Sequence, residues 1–173
     1  QAHLASLGID VRGWQLVEDS GRGFRRVVPS PRPLDVVELE SIRALVATGA
    51  IVVACGGGGI PVVSRNGHLK GVDAVIDKDR ASTLLATRLG ADRLVILTEV
   101  PAVYRNYRKS NQQELRELSA TDAEELLPGL AEGSMRPKVE SAIDFARVGG
   151  ETLITSFEAL EEALAGDAGT TIR

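Results

Sequence analysis

Aliphatic runs and helical repeats alternate along most of the chain. Continuous apolar runs at 50–55, 94–98 and 152–155 predict buried strands. Apolar residues spaced three and four apart predict helices at 35–48, 79–89 and 137–148. A helix ending near Gly166 and a short strand at 170–172 complete the series. This alternation of strand and helix predicts an α/β fold, with a mostly parallel sheet and helices on both faces.

Local signals set the predicted boundaries. Asn66-Gly67, between short extended runs at 61–64 and 68–70, predicts a β-hairpin. Thr121-Asp122-Ala123-Glu124 reads as a capping box, and Ser156 reads as the cap of the last helix. On the helix at 35–48 the predicted core face holds five aliphatic side chains, namely Val36, Val37, Ile42, Leu45 and Val46.

The first part of the chain differs in pattern. A short amphipathic segment is followed by a small β-rich piece, and Pro29, Pro31 and Pro33 then predict a rigid extended loop. We therefore expect residues 1–33 to be the end of a small protruding subdomain and residues 34–173 to form one larger α/β domain. Because Gln1 opens in mid-helix pattern without a methionine, we also expect an N-terminal half that is absent here.

Composition narrows the classes of function. With 43% hydrophobic and 3% aromatic residues, the core is predicted to be aliphatic. A net charge of −4 without a basic run argues against nucleic-acid or membrane-surface partners, and no apolar stretch reaches the roughly 20 residues of a membrane span. The single cysteine, Cys55, excludes an intrachain disulfide and fits the cytoplasm. His3 and His68 lack further ligands at metal-binding spacing, so no protein-bound metal is expected.

Four consecutive glycines, Gly56, Gly57, Gly58 and Gly59, follow the predicted strand at 50–55. Backbone amides of such a loop approach an anion closely, although a loop that merely packs tightly has the same composition. Pro61 breaks the dinucleotide fingerprint, and no Gly-Lys-Ser/Thr follows, so the loop is a phosphate-loop candidate of another type.

Two lysines stand at predicted helix starts. Lys78 lies between Asp77 and Asp79, and Lys138 follows a small-residue loop that contains Ser134 and Met135. A helix start already carries positive potential, so a lysine there favours an anionic ligand, although either aspartate is also an ordinary cap. Two such lysines in one domain suggest a nucleoside triphosphate between them.

A further candidate follows the strand at 94–98. Thr98 ends that strand, where α/β proteins bind ligands, and Val100, Val103 and Tyr104 come next. These apolar side chains suit either the sandwiching of a base or ordinary packing.

Five strings together resemble the carbamate kinases of the amino acid kinase superfamily, in the order of that family. They are GRGFRRVVPSPRP at 21–33, ACGGGGIPVV at 54–63, GVDAVIDKDRASTLLA at 71–86, LVILTEVPAVYRNY at 94–107 and GSMRPKVESAIDFA at 133–146. The resemblance covers most of the chain. It implies the amino acid kinase fold, a three-layer α/β/α sandwich, of which this chain is the C-terminal, nucleotide-binding part.

The resemblance also implies an activity, namely reversible phosphoryl transfer between ATP and carbamate that gives ADP and carbamoyl phosphate, used in arginine breakdown to make ATP. Lys78 and Lys138 would neutralise the transferring group, and Asp79 would orient them. Val100, Val103, Tyr104 and Met135 would lie near the nucleotide, and Mg²⁺ would bridge its phosphates. The family's usual homodimer is expected as well.

Departures from the family pattern leave alternatives open. Arg136 stands where the family has glycine, and Glu99, Pro101 and Ala102 change the loop after the strand at 94–98. The family's N-terminal acceptor-binding motifs are missing, so we expect the chain alone to have negligible kinase activity. A non-catalytic nucleotide-binding fragment, or a related kinase acting on another small acid, are the competing interpretations.

Overall fold

The computed structural model describes residues 14–18 and 24–173, which fall into two compact units. The larger unit comprises Arg32–Gly59 and Ile76–Arg173, and the smaller comprises the described residues up to Pro31 together with Ile60–Val75. The boundary predicted at residue 33 places the hairpin around Asn66 in the larger domain. The hairpin lies in the smaller unit instead, where the amide of Val75 donates to the carbonyl of Pro29 at 3.0 Å.

The smaller unit consists of two antiparallel hairpins. Strand β1 (Gln15–Glu18) pairs with β2 (Phe24–Val27), and β3 (Val62–Arg65) pairs with β4 (His68–Gly71). The two residues of the β3–β4 turn, Asn66 and Gly67, have φ of 50° and 77°, which are the values of a type I′ turn and confirm the predicted hairpin.

The larger unit is built on a four-stranded sheet of order β5-β9-β10-β8. Its strands are β5 (Arg93–Thr98), β8 (Glu117–Leu118), β9 (Glu151–Ser156) and β10 (Thr170–Ile172). The β5–β9 and β8–β10 pairs are parallel, whereas β9 and β10 run antiparallel. A separate hairpin joins β6 (Val103–Arg105) to β7 (Gln113–Leu115). The helices are α1 (Leu39–Ala47), α2 (Lys78–Leu89), α3 (Ala120–Leu126), α4 (Met135–Ala146) and α5 (Leu160–Ala165).

Strand β9 lies at the centre of the core. Its residues from Thr152 to Ser156 are all buried, which requires cover on both faces because successive side chains point to opposite sides. Ile154 packs in one cluster with Val139 and Ile143 of α4, and α5 also packs against β9. The predicted α/β/α layering is confirmed.

The region before the glycines corrects the sequence interpretation. Residues 50–55 form no strand, and Ile51 and Val53 are 98% and 94% exposed. Helix α1 starts at Leu39 rather than at residue 35 and buries only Ile42 of its predicted apolar face. An aliphatic run becomes a buried strand only where a partner and a covering layer exist, and the described residues provide neither here.

Two helix caps differ from the prediction. The last helix, α5, starts at Leu160 directly after Ala159, so Ser156 is not its cap, although the Oγ of Ser156 accepts from the amide of Ala159 at 3.3 Å. Ser119, not Thr121, caps α3, because its hydroxyl accepts from the amide of Asp122 at 3.1 Å while the Asp122 carboxylate accepts from the amide of Ser119 at 3.2 Å. Within the described ranges, no helix is both long and apolar enough to span a bilayer.

Candidate functional site

A cavity of about 1220 Å³ opens in the larger unit at the carboxyl end of β5. Four parts of the chain line it: the first turns of α2 and α4, the end of β5 with the segment that follows it, the β6–β7 hairpin, and the end of α3 with the loop that leads to α4. The volume exceeds the roughly 300–1,000 Å³ usual for small-molecule sites, so a nucleotide fits. The location is also the one at which open α/β sheets bind ligands.

The start of α2 combines a cap with an exposed cation. Asp77 is the cap, and its Oδ1 accepts from the amides of Asp79 and Arg80 at 2.9 and 3.1 Å. Lys78 is the first helical residue, is exposed, and lines the cavity. Because Asp77 already satisfies the helix end, Lys78 is not required for capping, and it adds positive charge where the helix dipole is positive.

A buried ion pair joins α2 to α4. The Nζ of Lys138 donates to both carboxylate oxygens of Asp79, at 3.2 and 3.0 Å, and each side chain is only 8% exposed. The hydroxyl of Thr83 donates to the carbonyl of Ser141 one turn further on, at 3.4 Å. Burying two charges is costly, so the arrangement is best understood as holding the Lys138 ammonium in one position at the cavity wall.

The predicted wall after β5 is only partly formed by the predicted residues. Thr98, Val100 and Tyr104 line the cavity, as do Ser134 and Met135. Val103 does not, because it is fully buried in the core and its amide donates to the hydroxyl of Thr170 at 2.7 Å.

The Tyr104 hydroxyl is perturbed by its surroundings. Its pKa is raised above the ordinary value, first by burial and then by the neighbouring Glu114 carboxylate, which lies 3.5 Å from the hydroxyl. The phenol therefore stays protonated at neutral pH; its one O–H donates to Glu114, and its oxygen can still accept a hydrogen bond.

The glycine loop lies beside the cavity rather than in its lining. Gly58 is buried with φ of 124°, and a Cβ there would come within 2.1 Å of the carbonyl oxygen of Ile76. The loop thus packs against the backbone just before Lys78. This close approach alone requires glycine at 58, while Gly56, Gly57 and Gly59 have no such neighbour within 3.4 Å.

Arg136, which stands in place of the family's glycine, turns away from the cavity. Its Nε donates to Glu140 at 3.1 Å, and it forms a second ion pair with Glu132 at 3.6 Å. Glu140 also accepts from Arg80 at 3.3 Å, so the first turns of α2 and α4 are joined a second time. Of the residues around it, Met135 and Pro137 line the cavity, whereas Arg136 does not.

The turn of the β6–β7 hairpin also lines the cavity, although no residue of it was predicted from the sequence. Five successive residues, Arg105, Asn106, Tyr107, Arg108 and Lys109, line the cavity. The density of cations within this stretch was the signal that was available. For the ranges 14–18 and 24–173, no group of three or more His, Cys, Asp or Glu side chains is arranged to hold a metal ion.

Comparison with known proteins supplies independent observations. The sequence model of the amino acid kinase family matches residues 2–156. A carbamate kinase of Staphylococcus haemolyticus is 52% identical over 169 residues, covering 95% of this chain and 55% of the relative. A carbamate kinase of Halobacterium salinarum is 52% identical over 157 residues, covering 89% and 51%.

Among solved structures, the carbamate kinase of Giardia lamblia bound to AMP-PNP superposes with a TM-score of 0.86 at 42% identity. That comparison covers 99% of this chain and 54% of the other. The chain therefore spans about half the length of the curated relatives it matches.

Proposed function

We propose that this chain, which belongs to the amino acid kinase family, forms the ATP-binding part of a carbamate kinase. The observation that supports the proposal most directly is one cavity that brings Lys78 together with the buried Asp79–Lys138 pair. The relatives named above are carbamate kinases, and one of them binds AMP-PNP. A nucleoside triphosphate is thus the ligand proposed for this cavity.

The proposed reaction transfers the terminal phosphoryl group of ATP to an oxygen of carbamate. The new P–O bond gives carbamoyl phosphate, and the bond to the bridging oxygen breaks to release ADP. Such transfers depend mainly on positioning and charge neutralisation. Lys78 and Lys138 would supply fixed positive charge where negative charge develops, and Asp79 would hold Lys138 in place. Carbamate is already anionic and nucleophilic, so no strong general base is needed.

The remaining cavity residues would bind the nucleoside. Val100 and Met135 offer apolar surface for a base, while Tyr104 and Ser134 offer hydrogen-bonding groups at its edge. Thr98, at the end of β5, lines the cavity and would contact the phosphate chain. Gly56–Gly59 would act through the backbone by keeping the segment before Lys78 close to the loop.

Mg²⁺ would be held mainly through the nucleotide. The cavity carboxylates are dispersed, with Asp77 engaged as a helix cap and Asp79 paired with Lys138. That donor set fits an ion bound through substrate phosphates and water, as Mg²⁺ usually is in such sites. When bound, the ion would offset charge on the phosphate oxygens.

The proposal extends to the biological setting implied by the family resemblance. The whole protein would act as a cytoplasmic homodimer and make ATP during arginine breakdown.

The test is phosphoryl transfer by the protein at its full natural length, measured as ATP formed from ADP and carbamoyl phosphate. We expect turnover with carbamoyl phosphate and little with acetyl phosphate. Lys78→Ala is expected to lose at least about 100-fold in kcat, while Lys70→Ala, which removes an exposed lysine of β4, serves as the matched control. Equal turnover of Lys78→Ala and wild type would refute the role of Lys78, and preference for acetyl phosphate would refute the acceptor.

A further inference from the structure

We infer that the turn of the β6–β7 hairpin is a second phosphate-binding element, in which Arg108 and Lys109 contact the phosphate chain of the nucleotide. The inference rests on the proposed nucleotide site and adds the residues of this turn to those that bind the phosphates. Asn106, Tyr107, Arg108 and Lys109 line the same cavity as Lys78 and the Asp79–Lys138 pair. No residue of this turn was a candidate from sequence.

The charges of the cavity support a polyanionic ligand. The lining holds five cations and four carboxylates, an excess of one positive charge in a chain whose net charge is −4. The cations are Lys78, Arg105, Arg108, Lys109 and Lys138, and the carboxylates are those of Asp77, Asp79, Glu99 and Glu125.

The excess of positive charge is larger when the groups that already have partners are left out. Lys138 is paired with Asp79, and Asp77 accepts from helix amides. By contrast, Arg108 and Lys109 form no ion pair with any carboxylate in the part of the chain that the structure describes, whereas Arg80 and Arg136, just outside the cavity, both do. Cations left unpaired around one cavity raise its potential for an anion.

The backbone of the turn holds Arg108 in an unfavourable conformation. Arg108 has φ of 60°, in the left-handed region that long side chains rarely occupy, and Asn106 has φ of 54°. The amide of Arg108 donates to the side-chain oxygen of Gln112 at 2.7 Å, and the amide of Lys109 donates to the carbonyl of Asn106 at 3.0 Å. These bonds fix a strained turn, and such strain is concentrated at functional sites.

The Arg108 side chain is oriented by an aromatic pair. Its guanidinium carbon lies 5.3 Å from the centre of the Tyr107 ring, and that ring lies 5.8 Å from the ring of Tyr104. Stacking limits the freedom of the guanidinium, so the side chain loses less conformational entropy when it binds a phosphate. The turn therefore presents a partly preorganised cation in the cavity that the helix starts also line.

The experiment measures the affinities of ATP and adenosine by isothermal titration on this chain and on Arg108→Gln/Lys109→Gln. We expect ATP to bind about tenfold more weakly to the double variant, since two charge-assisted contacts to an exposed anion are lost, while the Kd of adenosine changes less than about twofold. Arg65→Gln/Lys70→Gln is the matched control, because it removes the same charge from the exposed β3–β4 hairpin.

Arg108→Gly is the control for effects on folding. Glycine suits a φ of 60°, so this variant is expected to melt no lower than wild type and still to bind ATP more weakly. Equal weakening of ATP and adenosine would overturn the inference in favour of a nucleoside contact, and an unchanged Kd for ATP would overturn it outright. Wild type that bound neither ATP nor adenosine would refute the proposed function. A double variant that bound ATP as well as wild type does would refute only the role of Arg108 and Lys109.

Discussion

Replacing Asp79 by asparagine tests the buried pair that joins α2 to α4. The change keeps the size of the side chain and one acceptor oxygen but removes the negative charge. Lys138 would then lie 8% exposed without its carboxylate. Because an ammonium of this kind loses most of its hydration, we expect the variant to be substantially less stable than wild type.

The magnitude follows from the geometry. Two unit charges about 3 Å apart attract each other by about 5 kcal/mol at an effective dielectric constant of about 20. Removing one partner of a buried pair costs about 3–5 kcal/mol in measured cases. For a domain of this size, each kcal/mol lowers Tm by roughly 2–4 °C, so a fall of roughly 6–20 °C is expected.

The assay is urea unfolding of the 173-residue chain at neutral pH, with thermal melting as a second measurement. Asp144→Asn is the control, because its pair with Arg32, at 2.9 Å, is 33% and 62% exposed and is expected to contribute less than about 1 kcal/mol. Asp79→Leu/Lys138→Met removes both charges and is expected to be more stable than Asp79→Asn. If Asp79→Asn were no less stable than Asp144→Asn, the reasoning about the pair would be refuted.

Three smaller predictions concern the cavity surroundings. Gly58→Ala is expected to lower the free energy of unfolding by at least about 2 kcal/mol, because the added Cβ would lie 2.1 Å from the carbonyl oxygen of Ile76. A melting temperature equal to that of wild type would contradict this close packing. Arg136→Gly is expected to change the Kd of ATP less than about twofold, since its side chain is held by carboxylates outside the cavity; a larger change in titration calorimetry would place Arg136 in the site. The pKa of Tyr104, followed by NMR, is expected above the ordinary value of about 10 and should fall in Glu114→Gln, because a neighbouring negative charge disfavours the phenolate. Since this pKa is raised by folding, the contribution of Tyr104 to stability is fully present below pH about 10 and is lost as the pH rises through the folded value; an unchanged pKa in Glu114→Gln would contradict the assigned cause.

Much of the fold was predictable where one physical signal dominates. Strands β5 and β9 and helices α2 and α4 were placed within two residues, because aliphatic runs and end signals agree there. The structure of the segment at 50–55 was predicted wrongly. Its composition is that of a buried strand, but burial depends on a partner strand, which the sequence pattern does not show. The cap of α3 was missed because Ser119–Asp122 and Thr121–Glu124 satisfy the same local rule.

The candidate site was predictable to the extent that it depends on helix ends. Lys78 and Lys138 were candidates for that reason, and the structure places both at one cavity. Val103 shows the limit, because alternation along β6 decides that it faces the core while Tyr104 faces the cavity. The cations of the turn at Tyr107–Lys109 were a weak signal, because solvent-exposed loops are also rich in cations, and only the tertiary fold shows that the turn lines the cavity.

The cavity beside Lys78 is proposed to bind the phosphates of ATP. Isothermal titration of ATP into the 173-residue chain and into Lys78→Ala tests it most directly. We expect saturable binding to wild type with a Kd between about 1 μM and 1 mM, weakened at least about tenfold by the substitution. Absence of ATP binding, or equal Kd values for both proteins, would contradict it.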